Sequence, residues 1–477
     1  MKSTLLSIKY TYFTYLIIIM SIRMSAQVCE SINLEYITDI DAACSSISMT
    51  MQHDVLDRPY LYIAQKEGGL VTYDISDIEN PVFTSVVNTS VLSSKHVMNI
   101  TQQGNYLYLA LGNFFGASSE APGMAIVDMT YPSTPVVTDV WVANDPGNGT
   151  GIVKVEGNYA YLGAMGEGVI VLDISDKNNI SFVSQFIPDI DFPVVNQDEA
   201  KVNARGMIVR NDTIFLAYDA GGFRIIDASI KTNLVEVGMY SNSLLDNQPR
   251  AYNNVEIEGT LAYITIDYCG MEILDFSTPS NIQLIGWWNP WNCPGNNWFA
   301  SVGHTNEIAL DAESGIVFMS TGKSDMYVVD VSDPTSPDSC FSYGGVNNNI
   351  GTWGVSRFND KVFLSYICTL GIPFASNWSG VKAFTYDNVS SFGKQGRPGS
   401  YEVKIYPNPA LNEINIETNE NGMHQLTIQT LGGQILNTLS FKGKSYLLRK
   451  EMFNPGIYIL EISNEANYSS IHKLIIH

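Results

Sequence analysis

The chain has 477 residues, of which 45% are apolar and only 16% are charged, and its formal net charge is −22. This apolar content excludes a disordered acidic protein. The negative charge argues against nucleic acid as a partner, because phosphates require a basic surface. The 26 Tyr, 38 Gly and 19 Pro favour strands and turns over helices.

The first segment predicts export. Lys2 and Lys9 precede an apolar run over about residues 13–22, and Met24-Ser-Ala26 has the small residues of a cleavage site. A membrane anchor needs about 20 apolar residues, roughly twice this run. We therefore interpret residues 1–26 as a signal peptide and expect no transmembrane anchor after its cleavage.

Six cysteines follow this segment. An even number of cysteines in an exported protein is typical of disulfides. No two of them have CxxC spacing, which argues against a structural zinc site.

One short pattern recurs along the chain: a Gly, four mostly apolar residues and an Asp. Its copies start about 52 residues apart, at Gly69, Gly123, Gly168, Gly222, Gly270, Asp325 and Gly380, and the last two have drifted. This spacing is typical of four-stranded propeller blades and excludes the shorter helical repeats. A turn, an aromatic-aliphatic strand, the Gly-apolar-Asp strand and an outer strand recur in each copy, which predicts strands A to D of a blade. We predict an all-β fold with a seven-bladed β-propeller over residues 27–387.

The repeated Asp has a structural interpretation. Its carboxylate is expected to close the turn between strands C and D on backbone amides, rather than to act in catalysis.

Two copies of the repeat also carry a family resemblance. Val169-Ile-Val-Leu-Asp-Ile-Ser175 and Met326-Tyr-Val-Val-Asp-Val-Ser-Asp-Pro334 resemble the LVIvD repeat family, β-propeller proteins of bacteria and archaea. The resemblance covers about residues 30–387. It implies the fold and carries over no catalytic residue.

The ring needs a strand from elsewhere in the chain to close. Residues 388–400 have the composition of a linker, whereas Ile32–Thr38 resembles the outer strands. We predict that this N-terminal strand completes blade 7.

This closure suggests a pairing of the cysteines. It brings Cys44 near Cys368, places Cys269 near Cys293 within blade 5, and leaves Cys29 for Cys340. Pairing in sequence order agrees for Cys269 with Cys293 and stays open as an alternative for the other four.

The last segment, residues 401–477, alternates apolar and polar residues and predicts a small β-sandwich of immunoglobulin-like type. It is very similar to the type IX secretion sorting domain, type A, of the Bacteroidota. The matching residues are Tyr406, Pro407, Asn408, Pro409, Gly432, Pro455, Gly456, Tyr458 and Lys473. The resemblance implies contact with the type IX secretion machinery and a secreted or cell-surface protein. An ordinary binding module is the alternative.

The long connections between strands all fall on one face of the predicted propeller, where binding sites usually lie. Near the starts of the inner strands, at the channel mouth, the sequence places Lys95, His96, Arg205, Arg250, Tyr252, His304 and Trp353. The propeller has 15 basic and 41 acidic residues, so this basic group suggests an acidic ligand. The alternative is that these side chains pair with local carboxylates.

Tryptophans mark one of the long connections. Trp291 and Trp298, close to Trp287 and Trp288, are candidates for stacking on a sugar or a partner protein, or for plugging the end of the propeller.

No catalytic motif stands out in the sequence: there is no nucleophile elbow, HExxH or phosphate loop. His96 and His304 fall at equivalent repeat positions, but without a third ligand they do not define a metal site. We expect no cofactor and no metal, and a non-enzymatic module that binds protein or glycan. The alternative is a secreted hydrolase or lyase with its site at the channel mouth.

Overall fold

The computed structural model describes residues 29, 32–113, 120–346, 348–368, 376–388, 403–408, 410, 413–419, 421–430, 435–450, 453–464 and 469–476. The expected signal peptide, nearly all of the expected linker, and the sorting-motif residues Pro409 and Gly432 lie outside these residues. The chain divides into two compact units, mainly Leu34–Tyr386 and mainly Asp387–His477.

The first unit contains, within the described residues, seven sheets of four strands, and each sheet is one blade. Blade 1 comprises β2 (Thr50–His53), β3 (Tyr60–Ala64), β4 (Leu70–Asp74) and β5 (Val82–Val87). Blade 2 comprises β6 (Val97–Gln103), β7 (Tyr106–Leu111), β8 (Gly123–Asp128) and β9 (Val136–Val142). Blade 3 comprises β10 (Ile152–Glu156), β11 (Tyr159–Gly163), β12 (Val169–Asp173) and β13 (Ser181–Phe186). Blade 4 comprises β14 (Gly206–Arg210), β15 (Thr213–Ala217), β16 (Phe223–Asp227) and β17 (Val235–Tyr240). Blade 5 comprises β18 (Tyr252–Glu258), β19 (Leu261–Ile266), β20 (Gly270–Asp275) and β21 (Gln283–Trp288). Blade 6 comprises β22 (Ile308–Asp311), β23 (Ile316–Ser320), β24 (Met326–Asp330) and β25 (Asp338–Tyr343).

Blade 7 draws on both ends of this unit. It comprises β26 (Thr352–Phe358), β27 (Lys361–Tyr366), β28 (Ser379–Asn388) and β1 (Ile32–Ala42), and β1 lies next to β28. Short 3₁₀ turns interrupt the connections at Thr89–Val91, Glu199–Lys201, Ser243–Leu245, Asp267–Cys269, Pro279–Asn281, Cys293–Gly295 and Gly322–Ser324. Each inner strand contacts the inner strand of the next blade, and β26 contacts β2, so the ring is closed.

Strand C is apolar on both faces because it packs between two neighbouring blades. In β12, Val169 and Val171 belong to a core cluster shared with blade 4, whereas Ile170 and Leu172 belong to a cluster shared with blade 2. Successive side chains of a strand point to opposite faces, so four consecutive apolar residues serve two cores. The prediction of an all-β propeller is confirmed.

The glycine that opens the repeat has a steric cause. Gly69, Gly168, Gly222 and Gly270 have φ values of 71–84°. A Cβ at any of them would lie 2.1–2.4 Å from a carbonyl oxygen of the neighbouring outer strand. Only glycine fits this position without strain.

The repeated Asp closes the turn after strand C, as predicted. In six blades its Oδ1 accepts a hydrogen bond of 2.8–2.9 Å from the backbone N–H two residues later, at Asp74, Asp128, Asp173, Asp227, Asp275 and Asp330. The hydrogen bonds from Ser175 hold the pKa of Asp173 below its usual value.

Several contacts join β1 to the rest of blade 7. Lys382 Nζ lies 2.9 Å from Asp39, and Trp378 Nε1 donates to Asp41 at 2.9 Å. Disulfides join Cys29 to Cys340, Cys44 to Cys368 and Cys269 to Cys293. Pairing in sequence order is therefore wrong for Cys29, Cys44, Cys340 and Cys368 and right for Cys269 with Cys293.

The second unit consists of two sheets around one apolar core. Its strands are β29 (Val403–Tyr406), β30 (Glu413–Thr418), β31 (Met423–Thr430), β32 (Ile435–Lys442), β33 (Ser445–Arg449), β34 (Gly456–Asn464) and β35 (Ser469–Ile476). Two residues of the sorting motif stabilise it: Asn408 Oδ1 accepts from the backbone of Ile475 at 2.9 Å, and the buried Tyr458 donates to the Asn454 carbonyl at 2.9 Å. None of the helices in the described part of the chain is long and apolar enough to cross a membrane.

Candidate functional site

The inner strands of all seven blades line an axial channel of about 430 Å³. Where these strands begin, the channel narrows to a cavity of about 20 Å³. The guanidinium of Arg205 lies 5.5 Å from the ring centre of Trp353. These residues belong to blades 4 and 7, on opposite sides of the ring, so their stacking constricts the channel.

Charged side chains remain inside the channel. Lys154, Glu256 and Glu307 all line it. Burial raises the pKa of Glu256 to about 7, and Lys154 opposes this rise. The amide of Asn254 donates a hydrogen bond to Glu307.

A larger cleft, of about 610 Å³, opens beside the constriction among the connections of blades 3, 4 and 5, and we call it the rim cleft. This volume is typical of sites for small molecules. Its polar and aromatic lining consists of Asp198, Asp219, Asp246, Asp267, Lys201, Arg250, Gln197, Asn247, Gln248 and Trp298.

Two buried arginines hold the walls of the rim cleft. Arg224 is 0% exposed and pairs with Glu236 at 2.8 Å. Its guanidinium also donates to the carbonyls of Asp189 and Phe192, at 2.8 and 3.0 Å. Arg224 therefore fixes the connection between blades 3 and 4.

Arg250 holds the opposite wall. It donates to the carbonyls of Ala220 and Leu245 at 2.8 and 3.1 Å, and it lies 3.4 Å from Asp246. Burial lowers the pKa of this guanidinium. Since its hydrogen bonds go to the protein itself, Arg250 builds the cleft rather than offering a free charge at the channel mouth.

Two carboxylates lie at equivalent positions of neighbouring blades, three residues before the repeat glycines. Asp267 accepts hydrogen bonds from Trp298 Nε1 at 2.6 Å and pairs with His304 Nδ1 at 2.5 Å. Asp219 accepts from Asn203 Nδ2 at 3.0 Å. Burial raises the pKa of Asp219 to about 6, Arg205 opposes the rise and Asp267 adds to it.

The structure brings together some of the residues predicted from sequence. Arg250 and Trp298 line the rim cleft, and His304 packs edge-on against Trp298 with ring centres 5.4 Å apart. Arg205 and Trp353 meet at the constriction.

Other predicted residues lie elsewhere. Tyr252 is buried in the core, where its hydroxyl accepts from the backbone of Asn242 at 3.0 Å. His96 Nδ1 lies 3.9 Å from Glu120, and the Lys95 side chain passes close to Gly123, so both contact blade 2.

Trp291 is only 8% exposed and packs edge-on against Trp288 and Tyr327, with ring centres 5.4 and 5.8 Å apart. Trp291 therefore packs in the core between blades 5 and 6 and is not exposed for stacking on a ligand. Of the predicted basic group, Arg250 and His304 are paired within the protein, and the rim cleft contains four aspartates against Lys201 and Arg250.

Sequence reasoning missed Asp219 and Asp267. Aligning the turns between strands B and C on the repeat glycine places them opposite Lys66, Met165, Gly322 and Asn377, and opposite the acidic Glu120 of blade 2. No group of His, Cys, Asp and Glu in the described ranges is arranged to hold a metal ion.

Comparison with known proteins agrees with this architecture. Residues 404–477 match the secretion system C-terminal sorting domain, and residues 58–89, 148–187, 249–289 and 317–344 match the LVIVD repeat. No curated protein sequence matches the chain.

One solved structure supports the fold. The chain is similar to the β-propeller domain of Cps50 (Swd1) from Myceliophteria thermophila, with 10% identity, a TM-score of 0.51, and coverage of 74% of this chain and 99% of that one. The WD40 β-propeller domain of Doa1 matches with 8% identity, a TM-score of 0.48, and coverage of 74% and 97%. At 10% identity the first likeness shows the fold alone, and the second, with its TM-score below 0.5, supports no argument.

The class of protein follows from these findings: it is a β-propeller that contains LVIVD repeats. Its C-terminal sorting domain, of the type IX system, shows in addition that it is exported to the cell surface or secreted.

Proposed function

We propose that the propeller is a non-enzymatic module that binds a glycan in the rim cleft. The observation that carries this proposal is the indole of Trp298 in a concave site lined with carboxylate and amide side chains. A sugar ring presents C–H groups that pack on an indole, and hydroxyls that bond to such polar side chains.

The shape of the site favours a glycan over a folded protein. Stable protein interfaces bury about 800 Å² on each partner. The rim cleft is instead a concave site of about 610 Å³ whose walls are fixed by Arg224 and Arg250.

The sorting domain supports the other half of the proposal, that the exported protein works outside the cell after the type IX machinery has recognised its tail. Deleting residues 401–477 is expected to leave a folded propeller in the periplasm, because the blades are complete without the tail. Normal surface display of the shortened protein would contradict this.

Asp219 and Asp267 favour a second candidate, glycan hydrolysis. The carboxyl of Asp219 has a pKa raised to about 6, and the carboxylate of Asp267 is held by Trp298 and His304. Two carboxyls in different environments are what a general acid and its partner require. This candidate is the alternative of a secreted hydrolase.

A glycan array with the mature protein tests both candidates, if every bound glycan is then incubated and checked for cleavage. Trp298→Ala should weaken binding roughly tenfold through the loss of stacking. Tyr131→Ala is the control, because Tyr131 is 71% exposed on the opposite face. Binding that is unaffected by Trp298→Ala would place the site elsewhere, and cleavage of bound glycans would favour the hydrolase.

A further inference from the structure

The charges of the rim cleft do not cancel. Lys201 lies 3.6 Å from Asp198, and Arg250 lies 3.4 Å from Asp246, so these two carboxylates already have cationic partners within the cleft. Asp219 and Asp267 remain. Arg205, which acts electrostatically on Asp219, and His304, which pairs with Asp267, are both contributed from outside the cleft lining.

Both remaining carboxylates are fixed in position. Asp267 is held by Trp298 and His304, and Asp219 by Asn203. They belong to the turns of two adjacent blades, whose strands are packed and rigid. A cationic group of a ligand would therefore meet two preorganised acceptors beside an indole ring.

One buried nitrogen close to Trp298 has no hydrogen-bond partner among the described residues. His304 is 3% exposed, and its Nε2 makes no hydrogen bond with the described residues. An unsatisfied buried nitrogen costs free energy. Because His304 lies outside the cleft lining, this nitrogen is not among the groups that a ligand in the cleft contacts.

We propose that the glycan bound in the rim cleft is an amino sugar, whose ammonium group pairs with Asp219 and Asp267 and whose ring packs on Trp298. This inference rests on the proposed function and names the class of its ligand. An ammonium also favours the ionised form of a neighbouring carboxyl, so binding lowers the pKa of Asp219.

Calorimetric titration of the mature protein with two hexasaccharides of one backbone tests the inference. One is the chitosan hexasaccharide, with protonated amines at slightly acidic pH, and the other is the fully N-acetylated chitin hexasaccharide. We expect the chitosan form to bind at least tenfold more tightly, and this preference to shrink as salt is added.

Asp219→Asn removes one charge and keeps the size of the side chain. It should weaken binding of the chitosan hexasaccharide at least tenfold, which is the loss expected for a charge-assisted contact. Glu199→Gln is the matched control, because Glu199 is exposed in the neighbouring connection between blades 3 and 4 and lies outside the cleft lining. It should change the affinity less than twofold.

Equal affinity for the two hexasaccharides would overturn the amino-sugar inference and leave the proposed glycan site standing. This comparison needs no variant, so an unstable Asp219→Asn protein does not weaken it. Failure of every glycan to bind would overturn the proposed function as well. Binding of a lysine-rich peptide in place of the chitosan hexasaccharide would assign the site to a protein partner, which also contradicts the inference.

Discussion

The two faces of the propeller differ in how strictly they follow the sequence repeat. On the face of the short turns, the same Asp closes the same turn in six blades. On the opposite face, the connections differ in length and sequence from blade to blade, and those of blades 3, 4 and 5 form the rim cleft. Repetition marks what every blade needs to fold, whereas departures from the repeat mark where a function was added.

Loss of the ring closure should have the largest effect, because it disturbs both faces. A mature protein that starts at Ser45 lacks β1 and the disulfides of Cys29 and Cys44, and it exposes the edge of β28. We expect thermal unfolding to show a loss of several kcal/mol, since one native disulfide alone contributes about 2–5 kcal/mol.

A protein that starts at Ile32 is the matched control for this truncation. It keeps β1 and loses only the disulfide of Cys29 with Cys340, so it should be clearly more stable than the shorter form. Equal melting temperatures for the Ser45 form and the full mature protein would show that β1 does not complete blade 7.

Asp325 tests whether a departure from the repeat costs stability. It stands at the position of the repeat glycine of the other six blades, with φ of 61°, and it is 1% exposed. Burial raises the pKa of its carboxyl to about 7. The folded state therefore favours the protonated form, and stability is lost as the pH rises from about 4 to about 7.

Asp325→Gly should stabilise the protein on the order of 3 kcal/mol at pH 8, because it removes both the buried charge and the backbone strain. Asp325→Asn separates the two effects: it removes the charge and keeps the side chain, so its gain should vanish below pH 4. Chemical unfolding at pH 4 and pH 8 measures both. A gain for Asp325→Asn that is as large at pH 4 as at pH 8 would refute the role of the charge.

Substitutions in the repeated turns should change stability less than the loss of β1 or the replacement of Asp325. Asp275 accepts a 2.8 Å hydrogen bond from the backbone of Ser277. Asp275→Ala should lower the free energy of unfolding by about 1 kcal/mol, and Asp275→Asn should cost less because it keeps an acceptor. Glycan affinity should stay unchanged in both variants. A loss of binding after either substitution would break the distinction between the two faces.

The fold was predictable because each blade repeats the same short sequence pattern. The spacing of Gly168 and its counterparts, and the double-sided apolar pattern of β12, indicate a propeller from the order of the residues alone. The geometry of the site was not predictable in the same way. Arg205 and Trp353 meet across the channel, although 148 positions separate their numbers in the chain, and no local pattern encodes such a contact.

Placement near the channel mouth also did not reveal which side chains are free. Arg250 and His304 were predicted at the channel mouth, and both are held by partners within the protein. Basic residues in a strongly acidic protein readily find such partners. The informative departures were Asp219 and Asp267, which are acidic in an already acidic chain and therefore do not stand out by composition.

Hydrogen exchange of the mature protein, with and without the chitosan hexasaccharide, tests the difference between the two faces most directly. The account predicts that added protection concentrates at the rim cleft, in residues 189–201, 246–251 and 267–269, while the turns after Asp74, Asp173 and Asp275 exchange as before. Protection at those repeated turns, with none at the cleft, would contradict it.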